Sequence, residues 1–203
     1  MKDNNAPYIA RVTTFLENII EDKPKHALFL NMLAMLEHLG SRKIMISQMN
    51  RVMTQDTLQH LAEEARHAFF FKRNAERVAG HPLNGWNDEN TMCRIPSAMY
   101  FGRLDAGITK HVGEENAYGW VSLIIELRAC WLYDIYQDAL ENSSDHMSLK
   151  SLLAEEDKHL AEMFEMCNGD YDMLKKLSAM ETELFVKLWA HLEEQLIEDK
   201  KAA

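Results

Sequence analysis

Four glutamates interrupt stretches that are otherwise apolar at helical spacing, and a fold that buries them has to bring them to partners. Two belong to Glu-x-x-His motifs, Glu64-Ala65-Arg66-His67 and Glu156-Asp157-Lys158-His159. Residues three apart on an α-helix are about 300° apart around the axis and about one turn along it, so carboxylate and imidazole share a face. The neighbours Leu61, Ala68 and Phe71 turn the first motif inward, and Leu149, Leu152, Leu153, Leu160 and Met163 do the same for the second. The other two glutamates stand alone, Glu37 in LAMLEHL and Glu126 in SLIIELRAC. Leu30, Leu33, Ala34 and Ile44 surround Glu37 on its helical face, and Ser122, Leu123, Ala129, Cys130 and Tyr133 surround Glu126. Glu37 precedes Glu64 by 27 residues and Glu126 precedes Glu156 by 30. Such spacings level two residues on the arms of an antiparallel helical hairpin. Two hairpins would gather four glutamates and two histidines at one point.

Helical periodicity runs through six segments. They span about Pro7–Glu21, Lys25–Met49, Asp56–Ala79, Glu114–Glu141, Met147–Cys167 and Tyr171–Asp199. Thr54 or Asp56 can cap the third, Gly80 and Pro82 end it, and NSSD can cap the fifth. The stretch from His81 to Gly113 reads as a long crossover between helix pairs, with a short helix at PSAMYFGRL. Few glycines (8) and prolines (4) among 203 residues fit long helices better than many strands and turns. The expectation is one all-α domain: a metal-binding bundle over about 25–167, with flanking helices at about 7–21 and 171–199.

One Glu from each of two helices and a Glu-x-x-His from each of the other two is the ligand set of a two-metal carboxylate site in a four-helix bundle. On these residues, in the order E…ExxH…E…ExxH, the chain resembles the ferritin-like di-iron carboxylate superfamily. The resemblance covers roughly Lys25 to Cys167. It implies a ferritin-like bundle with a long crossover, and Glu37, Glu64, His67, Glu126, Glu156 and His159 as ligands of two Fe ions or an Mn/Fe pair. Glu64 and Glu156 would bridge the metals. In that superfamily the metals react with O2 to oxidise a substrate. Mixed oxygen and nitrogen donors suit such metals, and the Glu and His side chains would act as ligands, with no separate catalytic residues.

Several neighbours compete for roles. Glu63 and Glu155 sit four residues from the same histidines or beside the motif glutamates, and read as surface or supporting residues; Asp134 is a rival to Glu126. His60 shares the stripe of Glu64 and His67 at i, i+4 and i+7. Related N-oxygenating di-iron enzymes carry an extra His four residues before the Glu of their second motif, where this chain has Leu152. His60 therefore reads first as a core or supporting residue and second as a seventh ligand. Tyr118, Trp120 and Tyr133 read as core aromatics with electron transfer as the alternative, and Cys130 as a small core residue.

The resemblance points more to aldehyde-deformylating oxygenases and transfer-RNA hydroxylases than to ferritins. The short first spacing, the extra N-terminal helix and the long crossover carry that preference. The expected function is O2-dependent oxidation of a small apolar molecule, with electrons from a donor such as a ferredoxin or flavin reductase. A ferroxidase or iron-storage protein resembling bacterioferritin is the alternative, and a metal-free helical interaction module the third. A net charge of −10, with basic residues adjoining at most in pairs, argues against nucleic acid as a partner. Cys93, Cys130 and Cys167 are single, with no CxxC, which suits a reducing cytosol and disfavours a rubrerythrin-like centre. The N-terminus has no apolar signal core and no segment reaches 18 apolar residues, so a cytoplasmic protein without membrane contact is expected, with a homodimer left open.

Overall fold

The computed structural model describes the backbone of residues 2–51 and 53–202 and the side chains of 4–51 and 53–197. The described residues are helical throughout, joined by turns and loops, with no strand among them. A short helix α1 (Lys2–Asn5) and a 3-10 turn (Ala6–Tyr8) lead into α2 (Ile9–Glu21). On α2, Val12, Phe15, Leu16, Ile19 and Ile20 recur every three or four residues and are buried. Each such side chain contributes about 1.5–3 kcal/mol when fully removed from water. Phe15 meets Phe29 and Trp189 edge-on, which ties the N-terminal and C-terminal helices to one core.

Asp22 caps α3 (Lys23–Gln48) by accepting the Lys25 N–H, and Pro24 fits the first turn, where its missing N–H costs nothing. The helix runs unbroken through Gly40. Thr54 caps α4 (Gln55–Ala79) through the Thr57 N–H, and Gly80 ends it in the left-handed conformation at φ 75°. The crossover differs from expectation: in place of a short helix it forms α5 (Arg94–Val112). Its glycines Gly102 and Gly107 obscure the helical signal, yet they do not break the helix. Gly107 leaves space for the Met180 sulfur, 3.0 Å from where a Cβ would sit.

Helices α6 (Glu114–Glu141), α7 (Lys150–Met166) and α8 (Tyr171–Ala202) complete the chain. The NSSD segment does not cap α7, contrary to the sequence reading: no side chain of that segment bonds the first turn. Instead Gln137 Oε1 of α6 accepts the Leu149 N–H at 2.6 Å. Helix α3 packs along α4, and α6 along α7. The two pairs meet where α3 faces α6 and α4 faces α7, while α5 lies against α6 and α8. Among the described residues no helix is long and apolar enough to cross a membrane.

Candidate metal centre

All six glutamates and histidines of the expected ligand set are buried where the four helices meet. Two groups of donor atoms form, each within 4.8 Å: Glu37, Glu64 and His67 in one, and His60, Glu64, Glu126 and His159 in the other. Glu64 is common to both. Glu156 lies outside these groups but between the two motif histidines, its Oε1 3.0 Å from His67 Nδ1 and its Oε2 3.5 Å from His159 Nδ1. Neither approach has hydrogen-bond geometry. Among the described residues His67 Nδ1, His159 Nδ1 and Glu156 Oε2 are buried polar atoms without a hydrogen-bond partner. Such atoms are rare in folded proteins and call for an explanation.

The outer nitrogens of the same rings are held firmly. His67 Nε2 meets Glu155 Oε2 at 2.9 Å, and His159 Nε2 meets Glu63 Oε2 at 2.6 Å. The bracing is crossed, for each helix of the α4–α7 pair supplies the carboxylate that orients the other's histidine. When Nε2–H donates to a carboxylate, Nδ1 keeps its lone pair toward the interior, the usual arrangement around a metal-bound imidazole. Arg66 Nη2 donates to Glu155 Oε2 at 2.6 Å, and Gln59 donates to Glu63 at 2.9 Å. Partial burial would raise these two carboxyls, but the bonds from Gln59 and His159 to Glu63, and from His67 and Arg66 to Glu155, hold both below the usual range.

Glu126 faces the interior, and Asp134 lies on the exposed side of α6. His60 joins the second group, with Nε2 3.2 Å from Glu126 Oε1 and 3.4 Å from Glu64 Oε1, while Nδ1 pairs with Tyr118 Oη at 2.9 Å. Tyr133 donates to Glu37 Oε1. Two of the three aromatics read as core therefore touch the cluster directly, whereas Trp120 is buried in the apolar core. Cys130 is half-buried, and burial followed by Glu156 and Glu126 pushes its thiol up.

Crowding of carboxylates dominates the electrostatics. Burial, then Glu64, pushes the Glu37 carboxyl well above its ordinary value, and burial, then Glu156, does the same for Glu126. Burial disfavours charge on the rings, yet Glu156 with Glu37 lifts His67 to about 10, and Glu126 with Glu156 lifts His159 to about 10. Protein groups alone thus leave carboxylates crowded at one point, a charge that bound protons or cations can offset. The α3 backbone leaves room for it: a Cβ at Gly40 would lie 3.0 Å from Glu64 Oε2.

Beside the cluster opens a cavity of about 80 Å³. Glu37, Glu64 and Glu126 form one part of its wall, and Leu33, Leu36, Ile125, Ala129 and Leu132 line it with apolar surface. Tyr100 and Phe101 of α5 also line it, so the crossover helix contributes to the site as well as to the fold. The sequence reading missed this role of α5, the crossed bracing by Glu63 and Glu155, and the Tyr133–Glu37 bond. The position of Glu63 and Glu155 immediately before the motif glutamates was the available signal for the bracing. No protein-family model, curated protein or solved structure matches the chain.

Proposed function

We propose that α3, α4, α6 and α7 form a ferritin-like four-helix bundle that holds two metal ions, Fe/Fe or Mn/Fe, and uses O2 to oxidise a small, largely apolar organic molecule. The observation that carries this reading is the pair of donor groups sharing Glu64, with unpartnered His67 Nδ1, His159 Nδ1 and Glu156 Oε2 turned to the same interior. Glu37, Glu64 and His67 would hold one ion, and Glu64, Glu126 and His159 the other. Glu156, within reach of both motif histidines, would be the second bridge. His60 Nε2 is close enough to Glu64 and Glu126 to serve as a seventh ligand.

Two metal ions held by Glu37, Glu64, His67, Glu126, Glu156 and His159 would supply the electrons and open coordination positions that O2 activation requires. The chain's own groups do the rest. Glu63 and Glu155 fix the histidine rings, Tyr133 fixes Glu37, and Tyr118 fixes His60. Four carboxylates balance four positive charges, so the loaded interior is close to neutral. The apolar wall offers a substrate a dry place next to Glu37, Glu64 and Glu126. Electrons for repeated turnover would come from a separate ferredoxin or flavin reductase. The cavity favours oxidation of an organic substrate over iron storage, which needs no such space.

Anaerobic loading with Fe(II), removal of loose metal and elemental analysis test the reading. Two metals per chain are expected; one or none would overturn it. Size-exclusion chromatography with light scattering separates the alternatives, because a large hollow shell would favour storage.

A further inference from the structure

Exposed apolar side chains are spread unevenly over the molecule. Six of the twelve large ones exposed among the described residues belong to the α3–α4 hairpin: Met45, Ile46, Met49, Met53, Leu58 and Phe69. Met49 is 69% exposed and Phe69 63%. At about 100° per residue, Arg42, Ile46 and Met49 lie about 120–180° around α3 from Glu37, and Leu58, Ala62, Ala65 and Phe69 lie about 140–180° around α4 from His67. The two helices pack along each other, so these outward sides adjoin as one face. A concentrated apolar patch with methionine in it is the surface of an adaptable docking site.

Charge on this face runs against the rest of the chain. Overall there are 22 Lys and Arg against 32 Asp and Glu, yet residues 38–79 hold seven against four, and two of the four, Glu63 and Glu64, are buried. Arg42, Arg51 and Arg73 are exposed and pair with no carboxylate among the described residues. Arg51 donates to the backbone oxygens of Glu114 and Glu115, and the Arg73 guanidinium lies 6.0 Å from the centre of the Phe69 ring. The exposed acids are Asp56 and the half-buried Glu76, which already pairs with Lys72. Two copies meeting through this face would bring like charges together, whereas an acidic partner would be steered to it.

Size narrows the partner further. From Leu58 to Phe69 the face is about 17 Å long, and two helices make it about 20 Å wide, or roughly 350 Å². A stable dimer needs about 800 Å² from each partner, while transient electron-transfer complexes bury less than about 1,200 Å² in total. Position agrees, because one helix, about 10–12 Å across, separates the face from His60, Glu64 and His67 on the inner side of α4. At its edge Arg66, its side chain 51% exposed, donates to the Glu155 oxygen that also meets His67 Nε2.

We propose that the outer face of the α3–α4 hairpin docks a small acidic iron–sulfur protein of the ferredoxin class, which passes electrons across α4. Each transfer oxidises the carrier's cluster by one electron and reduces a metal ion by one, with no bond made or broken. The electron step rests on the metal-centre reading above; the docking does not.

The test combines NMR and stopped-flow association on the full-length chain with an oxidised, acidic plant-type ferredoxin. Basic cytochrome c and vesicles of equimolar phosphatidylcholine and phosphatidylglycerol serve as comparisons, with light scattering and metal analysis on the same sample. The paramagnetic ferredoxin should broaden the Met49 and Phe69 resonances, and added salt should slow association. Arg42→Glu with Arg73→Glu should slow association roughly 10-fold, and Phe69→Ser should mainly speed dissociation. Met99→Ser, an equally exposed site on α5, should change neither rate. All these side chains are exposed, and circular dichroism should show unchanged helical content. Absence of ferredoxin binding, equal rates in the charge-reversed variant or broadening elsewhere on the surface would overturn the proposal. Tighter binding of cytochrome c, vesicles covering the face in place of ferredoxin, or a dimer that Phe69→Ser dissociates would overturn it as well. Docking to a chain that takes up no metal would count against the metal-centre reading alone; two bound metals without docking would count against this proposal alone.

Discussion

Glu126 and Arg128, two residues apart on α6, belong to two buried charge clusters built in opposite ways. Around Arg128 the charges cancel one to one: both Glu181 oxygens are engaged, and the guanidinium stacks over Phe185 and Trp131, with Cζ 3.9 and 4.8 Å from the ring centroids. Around Glu126, four buried glutamates share one space with three histidines, and three inward polar atoms have no partner. The first cluster is balanced in charge within the protein, with only Arg128 Nη1 of the ion pair left without a partner among the described residues, and it joins α6 to α8. The second has more buried carboxylates than partners, the imbalance on which the proposed metal pair rests. Burial alone therefore does not distinguish a structural charge from a functional one; the balance of partners does.

Substitution should separate the two clusters most sharply at their central glutamates. Glu64→Ala removes the carboxylate common to both donor groups and should abolish two-metal binding by elemental analysis, with helical content by circular dichroism retained. Retention of two metals would break the contrast. Glu181→Ala should do the reverse, costing about 3–5 kcal/mol in chemical denaturation because Arg128 is left buried and unpaired, with no direct loss of a metal ligand.

A third buried group sharpens the comparison by being neutral. His26, fully buried on α3 and bonded to Tyr136, is pushed down to about 4 by burial, with Asp145 opposing and Arg77 assisting. Its folded value lies below the unfolded value of 6.5, so the unfolded chain binds the extra proton between these limits. Its contribution is present above pH 6.5 and lost as pH falls toward 4, by at most about 3 kcal/mol. The difference between wild-type and His26→Gln denaturation profiles should show that slope, and a flat difference would contradict it. Smaller still, Glu155→Ala or Glu63→Ala should weaken metal binding by roughly 10- to 100-fold by loosening one histidine ring, while two sites remain at saturation.

What was legible in the sequence follows from range. Glu37 and Glu126 stand out because each is a lone carboxylate in an apolar helical stretch, and the Glu-x-x-His pairs share a face by local geometry alone. Helix boundaries with strong local signals, Thr54 and Gly80 for α4, are where the sequence reading expects them. Features made by distant partners are not legible in this way. Arg128 looks like an ordinary helix charge until α8 brings Glu181 beside it, 53 residues along the chain. Glu63 and Glu155 read as surface or supporting residues, and only the packing of α4 against α7 shows that each braces the histidine of the other helix. Helix α5 hides behind Gly102 and Gly107; the second has a packing role that the sequence does not show, since it lets the Met180 sulfur approach closely.

The most direct test of the central claim is anomalous diffraction at the iron edge from crystals of the anaerobically Fe(II)-loaded chain. The account predicts two peaks per chain, roughly 3.5–4 Å apart, flanking the Glu64 carboxylate, one beside His67 and the other beside His159. A single peak, or peaks away from Glu64, would contradict it.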